Sequence, residues 1–206
     1  MTDTHAAENL FNLLDRWSSD EDLRESGKVR LLCHQPQNGD LAYLHRLYPG
    51  LGSAQMEDLE AVIDHQIPRR LRDFYGLTNG LRLFEGQVSV NGLVKDFSRD
   101  PYRPIPICIE QGNRLFAAVR PQWHQQGFFR IGGVSFIRQD ELICGPDDCV
   151  IVLNAESGEP LRNYSDIFDF LVSFTKEMAQ FWASDGKFIG DWEVIDQLLL
   201  GVAGKA

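Results

Sequence analysis

The stretch Leu59–Gly86, LEAVIDHQIPRRLRDFYGLTNGLRLFEG, decides how the chain is read. It divides into helix, proline, short helix, Asn-Gly and strand. Met56, Leu59, Val62 and Ile63 recur at helical spacing, with Ser53 placed to cap the first turn. Pro68 suits the first position of a second helix, where its missing N–H would have had no partner anyway. Leu71, Phe74 and Tyr75 form that helix's apolar stripe. Asn79-Gly80 takes the positive φ that ends a helix or turns a hairpin, and Leu81–Phe84 then starts a strand-like run.

Working outward, residues 5–17 place Leu10, Leu13, Leu14 and Trp17 on one helical face. A polar stretch follows, expected as an exposed loop, then Val29–Cys33, which suits strand or helix. Asp40–Tyr48 is expected to be a helix ended by Pro49-Gly50, so residues 1–52 read as a helical extension to a domain at 53–206. Downstream, Gln87–Val90 reads as a strand, and Asn91-Gly92 is the strongest short hairpin signal in the chain. Asp100–Pro106 is a proline-rich loop and Ile107–Val119 a helix. Phe128–Ile137 and Val150–Asn154 read as strands. Ser165 is placed to cap a helix over Asp166–Trp182, striped by Ile167, Phe170, Leu171, Phe174 and Met178, and Trp192–Val202 reads as a last helix. Helices, a run of short strands and helices again make an α+β pattern.

The chain has 206 residues, 13 Phe and 4 Trp, enough to bury a substantial core. Its N-terminus is polar and acidic, without the basic and apolar regions of a secretory signal, so a cytoplasmic location with reduced cysteines is expected. No run is apolar and long enough to cross a membrane. The net charge of −10 is uneven, with acids in excess over residues 1–64 and 141–206 and bases in excess over 65–140. This balance argues against nucleic acid as a partner, because phosphate contacts need clustered Lys and Arg. The acidic ends and the basic middle can instead pair with each other, or one acidic face can meet a basic partner.

Ile-Pro-x-x-Leu-x-x-Phe-Tyr followed by Asn-Gly, at Ile67–Gly80, resembles the SUKH superfamily, which includes the fungal cell-wall-assembly regulator and bacterial immunity proteins against polymorphic toxins. Phe128–Gly133, Cys149–Asn154 with Glu156–Glu159, and Tyr164–Leu171 are similar to later family segments in order and spacing. The resemblance covers about residues 54–182; His65 stands where the family usually has Gly, and the second Gly often seen after Asn-Gly is missing. It implies an antiparallel sheet of about four to six strands flanked by helices. It transfers no functional residue, because binding surfaces differ among members.

Catalytic and metal chemistry find little support in the pattern. Cys33, Cys108, Cys144 and Cys149 contain no C-x-x-C pair, and Cys33-His34 with His45 is a loose metal-ligand set at best. A cysteine nucleophile would need His65 or His124 brought to a thiol. No G-x-S-x-G elbow exists, and no cofactor is expected. Arg69, Arg70 and Arg72 are expected to pair along the helix with Asp64 and Asp73. Trp123 and Trp182 read as core or groove aromatics.

Carboxylates are the abundant group. Asp147, Asp148, Glu156, Glu159 and Asp166 cluster in sequence around the last strand and its turns. As solvated turns and a helix N-terminus they are unremarkable; as a negative rim they would engage a basic protein. The expectation is a non-enzymatic protein-binding module. By resemblance it is an immunity protein that occludes a basic toxin, such as a nuclease; the alternative is a scaffold or regulator of the cell-wall-assembly type. An enzyme built on a thiol and an imidazole is the third reading.

Overall fold

A computed structural model describes residues 4–18, 29–97, 104–136 and 138–199. Its centre is one antiparallel sheet of eight strands in strict chain order. The strands are β1 (Arg30–His34), β2 (Tyr43–Pro49), β3 (Thr78–Leu83), β4 (Val88–Val90), β5 (Phe129–Ser135), β6 (Gln139–Cys144), β7 (Val150–Leu153) and β8 (Pro160–Tyr164). The helices are α1 (Thr4–Leu14), α2 (Ser53–Ile63), α3 (Arg69–Leu77), α4 (Ile109–Val119), α5 (Pro121–Gln125), α6 (Ile167–Met178) and α7 (Trp192–Leu199). The α+β class holds, with eight strands where four to six were expected.

The added strands come from segments whose local pattern misleads. Asp40–Tyr48 was expected to be helical because Leu41, Leu44, Leu47 and Tyr48 mimic helical spacing, yet Tyr43–Pro49 is β2. There Leu44 and Leu47 enter the main core, while Tyr43 and Tyr48 join a cluster with Val29 and Leu31 that contains no helical residue. Residues 1–52 are therefore not a purely helical segment. β2 pairs with β3 across residue 52, and Leu10, Leu14 and Trp17 of the N-terminal segment sit in the main core. Strand β8 escaped notice because it is polar, half exposed and begins with Pro160, as an edge strand can.

Alternation sets the layers. Leu142, Cys144, Val150 and Val152 face the main core with α1, α2, α3 and α6, while Ile143, Ile151 and Leu153 face Phe116 of α4 and Trp123 of α5. Trp182 is buried in the main core.

Neither Asn-Gly pair makes a hairpin turn. Asn79-Gly80 lies inside β3, with Gly80 at φ +84, and Asn91-Gly92 follows β4. A Cβ on Gly80 would collide with the Val90 carbonyl and one on Gly92 with that of Asn79, so both glycines permit backbone contact. The Asn79 side chain completes the match: its Nδ2 donates to Leu93 O (2.8 Å) and its Oδ1 accepts from Leu93 N (2.7 Å). The buried Tyr75 hydroxyl donates to Asn91 O (2.9 Å).

The β3–β4 turn is instead Phe84-Glu85-Gly86, three consecutive residues with positive φ. A phenylalanine rarely adopts that conformation. Phe84 is held there by its surroundings: it is fully buried among Trp17, His45 and Trp182, with ring centroids 5.7, 4.9 and 4.7 Å away. His45 Nδ1 accepts the Phe84 N–H (3.3 Å). Trp17 Nε1 donates to Ala183 O (2.8 Å), and Gln35 Nε2 to Gly186 O (2.6 Å), tying the segment before α7 to the turn that follows α1 and to the residue after β1.

Burial lowers the His45 pKa from 6.5 to about 3, so the folded state holds it neutral. Below pH 6.5 the unfolded chain takes up a proton that the folded chain refuses, so stability falls with pH by up to about 1.4 kcal/mol per unit. Urea unfolding below pH 6.5 should show a steeper loss for the native protein than for His45→Asn; equal slopes would absolve His45.

Candidate functional site

The carboxylates singled out in the sequence do not form one rim. In an antiparallel meander successive turns lie at opposite ends of the strand between them. Asp147 and Asp148 precede β7 and Glu156 and Glu159 follow it, so the four residues of β7, about 13 Å, separate the two pairs. Strand β8 runs back, which returns Asp166 to the end that holds Asp148.

At that end two of the carboxylates are occupied. Helix α3 has Pro68 at its N-cap, a residue with no polar side chain to satisfy the first amides. Asp148 supplies the acceptor from the β6–β7 turn: its Oδ1 receives Arg70 N (2.8 Å) and Leu71 N (3.2 Å). Asp148 itself takes φ +69, which aspartate tolerates better than most residues. Asp166, not Ser165, caps α6, its Oδ1 accepting from Phe168 N (2.8 Å) and Asp169 N (2.9 Å). Its Oδ2 accepts from Arg70 Nε (3.0 Å), and that guanidinium lies 5.0 Å from the centre of the Phe168 ring. One arginine thus joins α3 to the start of α6. At α2 the N-cap is Gly52, with Gln55 accepting its N–H (3.1 Å), rather than Ser53.

The basic cluster is spent in the same way. Arg70 pairs with Asp166 and Arg72 with Glu60, where Asp64 and Asp73 were the expected partners. Elsewhere, Arg120 forms a buried pair with Glu141 (3.1 Å), beside Arg130 at 3.7 Å. Arg162 grips Glu177 through two bonds of 2.6 and 2.7 Å, raising its own pKa.

Asp147, Glu156 and Glu159 are exposed. The Cys149 thiol donates to Asp147, which lowers the acid's pKa, while burial and that same acid push the thiol to about 11. The backbone of the Glu156–Glu159 turn is ordered by Asn154 Oδ1, which accepts from Glu156 N and Ser157 N at 2.9 Å each. The two glutamate side chains therefore project from a turn whose shape does not depend on them.

Thiol chemistry has little to work with. Burial, then the nearby acids, raise the Cys144 pKa, so Cys144 and Cys149 both stay protonated at neutral pH. His65 stacks on Phe129 (5.5 Å) and faces His124 (4.8 Å); burial lowers its pKa, and His124 adds to the effect. His45 lies in the aromatic core while His34 stacks on Tyr43, 4.9 Å away in the other cluster. Among the described residues no three His, Cys, Asp or Glu side chains are grouped to hold a metal ion.

The reading of residues 40–48 as a helix hid one further feature: the face of β1–β3 opposite the main core. Two hollows open there. One of about 330 Å³ is lined by Val29, Tyr48, Asn79, Leu93 and Lys95 among others, and one of about 280 Å³ by Tyr43, Arg46, Arg82 and Glu85 among others. Simple alternation would not have found it, because Tyr43 and Tyr48 share one face and Leu44 and Leu47 the other, a grouping that breaks the strand period of two.

Removing the cap on α3 should be costly. Asp148→Ala is expected to lower stability by about 1–2 kcal/mol, and Asp147→Ala, at the neighbouring exposed residue, by no more than about 0.5 kcal/mol. Urea denaturation of both variants measures the difference; equal effects would refute the capping role. No protein-family model matches the sequence, and no curated protein matches it either.

Proposed function

We propose that this chain is a non-enzymatic module that binds a basic protein. One observation carries the reading. Among the described residues nine arginines and lysines are paired with carboxylates of the same chain: Arg30, Arg70, Arg72, Lys95, Arg114, Arg120, Arg130, Arg138 and Arg162. The surplus behind the net charge of −10 is consequently left on exposed acids such as Asp147, Glu156 and Glu159. A body that pairs so many of its own cations and leaves acids exposed presents a negative field to its surroundings, and that field speeds encounter with a positive partner.

The SUKH resemblance supplies a sharper version, in which the chain is a cytoplasmic immunity protein that occludes a toxin, such as a basic nuclease. The contact would bury about 800 Å² on each partner, with the exposed acids at the two ends of β7 setting specificity. The protonated thiols and the absence of an assembled nucleophile and base among the described residues favour occlusion over chemistry. The scaffold alternative treats residues 1–52 as a detachable partner-binding arm. It has less support, because Trp17 is buried and β1 and β2 are sheet strands.

Co-expression with toxins encoded beside its gene should give rescue and a stable complex with one of them; neither outcome with any of them would sink the immunity reading. With that partner, Asp147→Lys, Glu156→Lys and Glu159→Lys combined should slow association about tenfold at low salt and flatten its salt dependence. An unchanged association rate would move the contact away from these turns.

A further inference from the structure

Arg46 and Arg82 are not among the nine cations neutralised by carboxylates of the chain. They stand directly opposite one another on β2 and β3, on the sheet face away from the main core. Residues so paired hold their Cβ atoms about 5 Å apart, and like charges in that position destabilise a sheet. No carboxylate among the described residues forms an ion pair with either one. Arg46 donates to Leu41 O (2.6 Å) and bonds the Tyr48 side chain. Arg82 Nε is buried and has no hydrogen-bond partner. Glu85 reaches the same hollow but accepts from Asn38 Nδ2 instead.

The hollow around them is shaped for the guanidinium groups. Gly86, at φ +93, lies under Arg82 so closely that a Cβ would collide with the guanidinium. The left-handed Phe84–Gly86 turn that creates this floor is held from the other side by the aromatic core. The hollow has a volume of about 280 Å³, room for one small anionic group and its immediate substituent. Two forks carried on separate strands call for acceptor oxygens on more than one side of the ligand. A tetrahedral phosphate meets that demand, whereas a planar carboxylate satisfies a single fork.

We propose that Arg46 and Arg82 form a seat for one phosphate group, free or borne on a small ligand, independent of the acidic turns. The charge repulsion between the strands is then a cost of keeping the seat open, offset when the anion enters.

Thermal unfolding and isothermal titration of the full chain test this, with inorganic phosphate and glycerol phosphate as probes against acetate and chloride at matched ionic strength. Phosphate, glycerol phosphate or both should raise Tm and bind at a single site, and the one that binds tighter identifies the source. Arg82→Gln and Arg46→Gln should each weaken binding about tenfold or more, and Arg82→Gln, which loses no hydrogen bond at Nε, should keep an unliganded Tm equal to or above that of the native chain. Arg82→Lys keeps the charge and loses the fork, and should weaken binding by a similar factor. In the native protein, phosphate should shift the amide resonances of Arg82 and Gly86, a readout that needs no variant. The proposal is overturned if neither phosphate probe binds, if acetate or chloride gives the same Tm rise, if the variants bind as well as the native chain, or if the shifted amides lie elsewhere.

Discussion

A helix that begins at a proline has no side chain with which to satisfy its own first amides, and α3 begins at Pro68. Those amides are answered by Asp148, 78 residues further along the chain. The consequence spreads outward. With Asp148 fixed, the β6–β7 turn is pinned against α3. Arg70, on the first turn of α3, reaches Asp166, which in turn caps α6. Three elements far apart in sequence are registered by two carboxylates and one guanidinium. Each of the three would be left with unsatisfied polar groups if the others shifted. The apolar stripes of α3 and α6 drive their burial, but they permit sliding; the caps do not.

A related device, a side chain that answers backbone groups of a distant segment, recurs at two places beside the sheet. Asn79 pairs with both backbone groups of Leu93, and Asn113 does the same for Arg130, where β5 carries a bulge. An amide side chain has one donor face and one acceptor face, so it can stand in for a strand neighbour where the ladder fails. These asparagines are spent on architecture. So are nine of the cations among the described residues, several of them consumed by carboxylates of other segments, as between Lys95 and Asp58 or Arg120 and Glu141. Among the described residues that internal pairing leaves exposed acids such as Asp147, Glu156 and Glu159 without a cation, while the β2–β3 face carries a guanidinium pair without a carboxylate.

Several elements were legible from local pattern alone: α2, α3, α4 and α6, the strands around Ile131 and Val152, and the apolar faces that bury them. Periodicity is a local property, and a long amphipathic stripe announces itself. Strands β2, β6 and β8 were not legible, because their residues are chosen for distant neighbours. Glu141 looks out of place in a strand until Arg120 is set beside it, and residues 40–48 look helical until the sheet puts Tyr43 and Tyr48 on one face and Leu44 and Leu47 on the other. The acidic residues were found by composition, but their proximity in sequence was mistaken for proximity in space.

Amino-acid order by itself determined the α+β class, the helix–proline–helix motif of residues 53–77 and the excess of acid, since each follows from spacing or from counting. Only the tertiary structure decided what the turns are for. Antiparallel pairing sends Asp147 and Glu156 to opposite ends of β7, and a proline without a cap claims Asp148. It also sets Arg46 against Arg82, 36 residues apart, because strand register is a long-range choice made by the whole sheet.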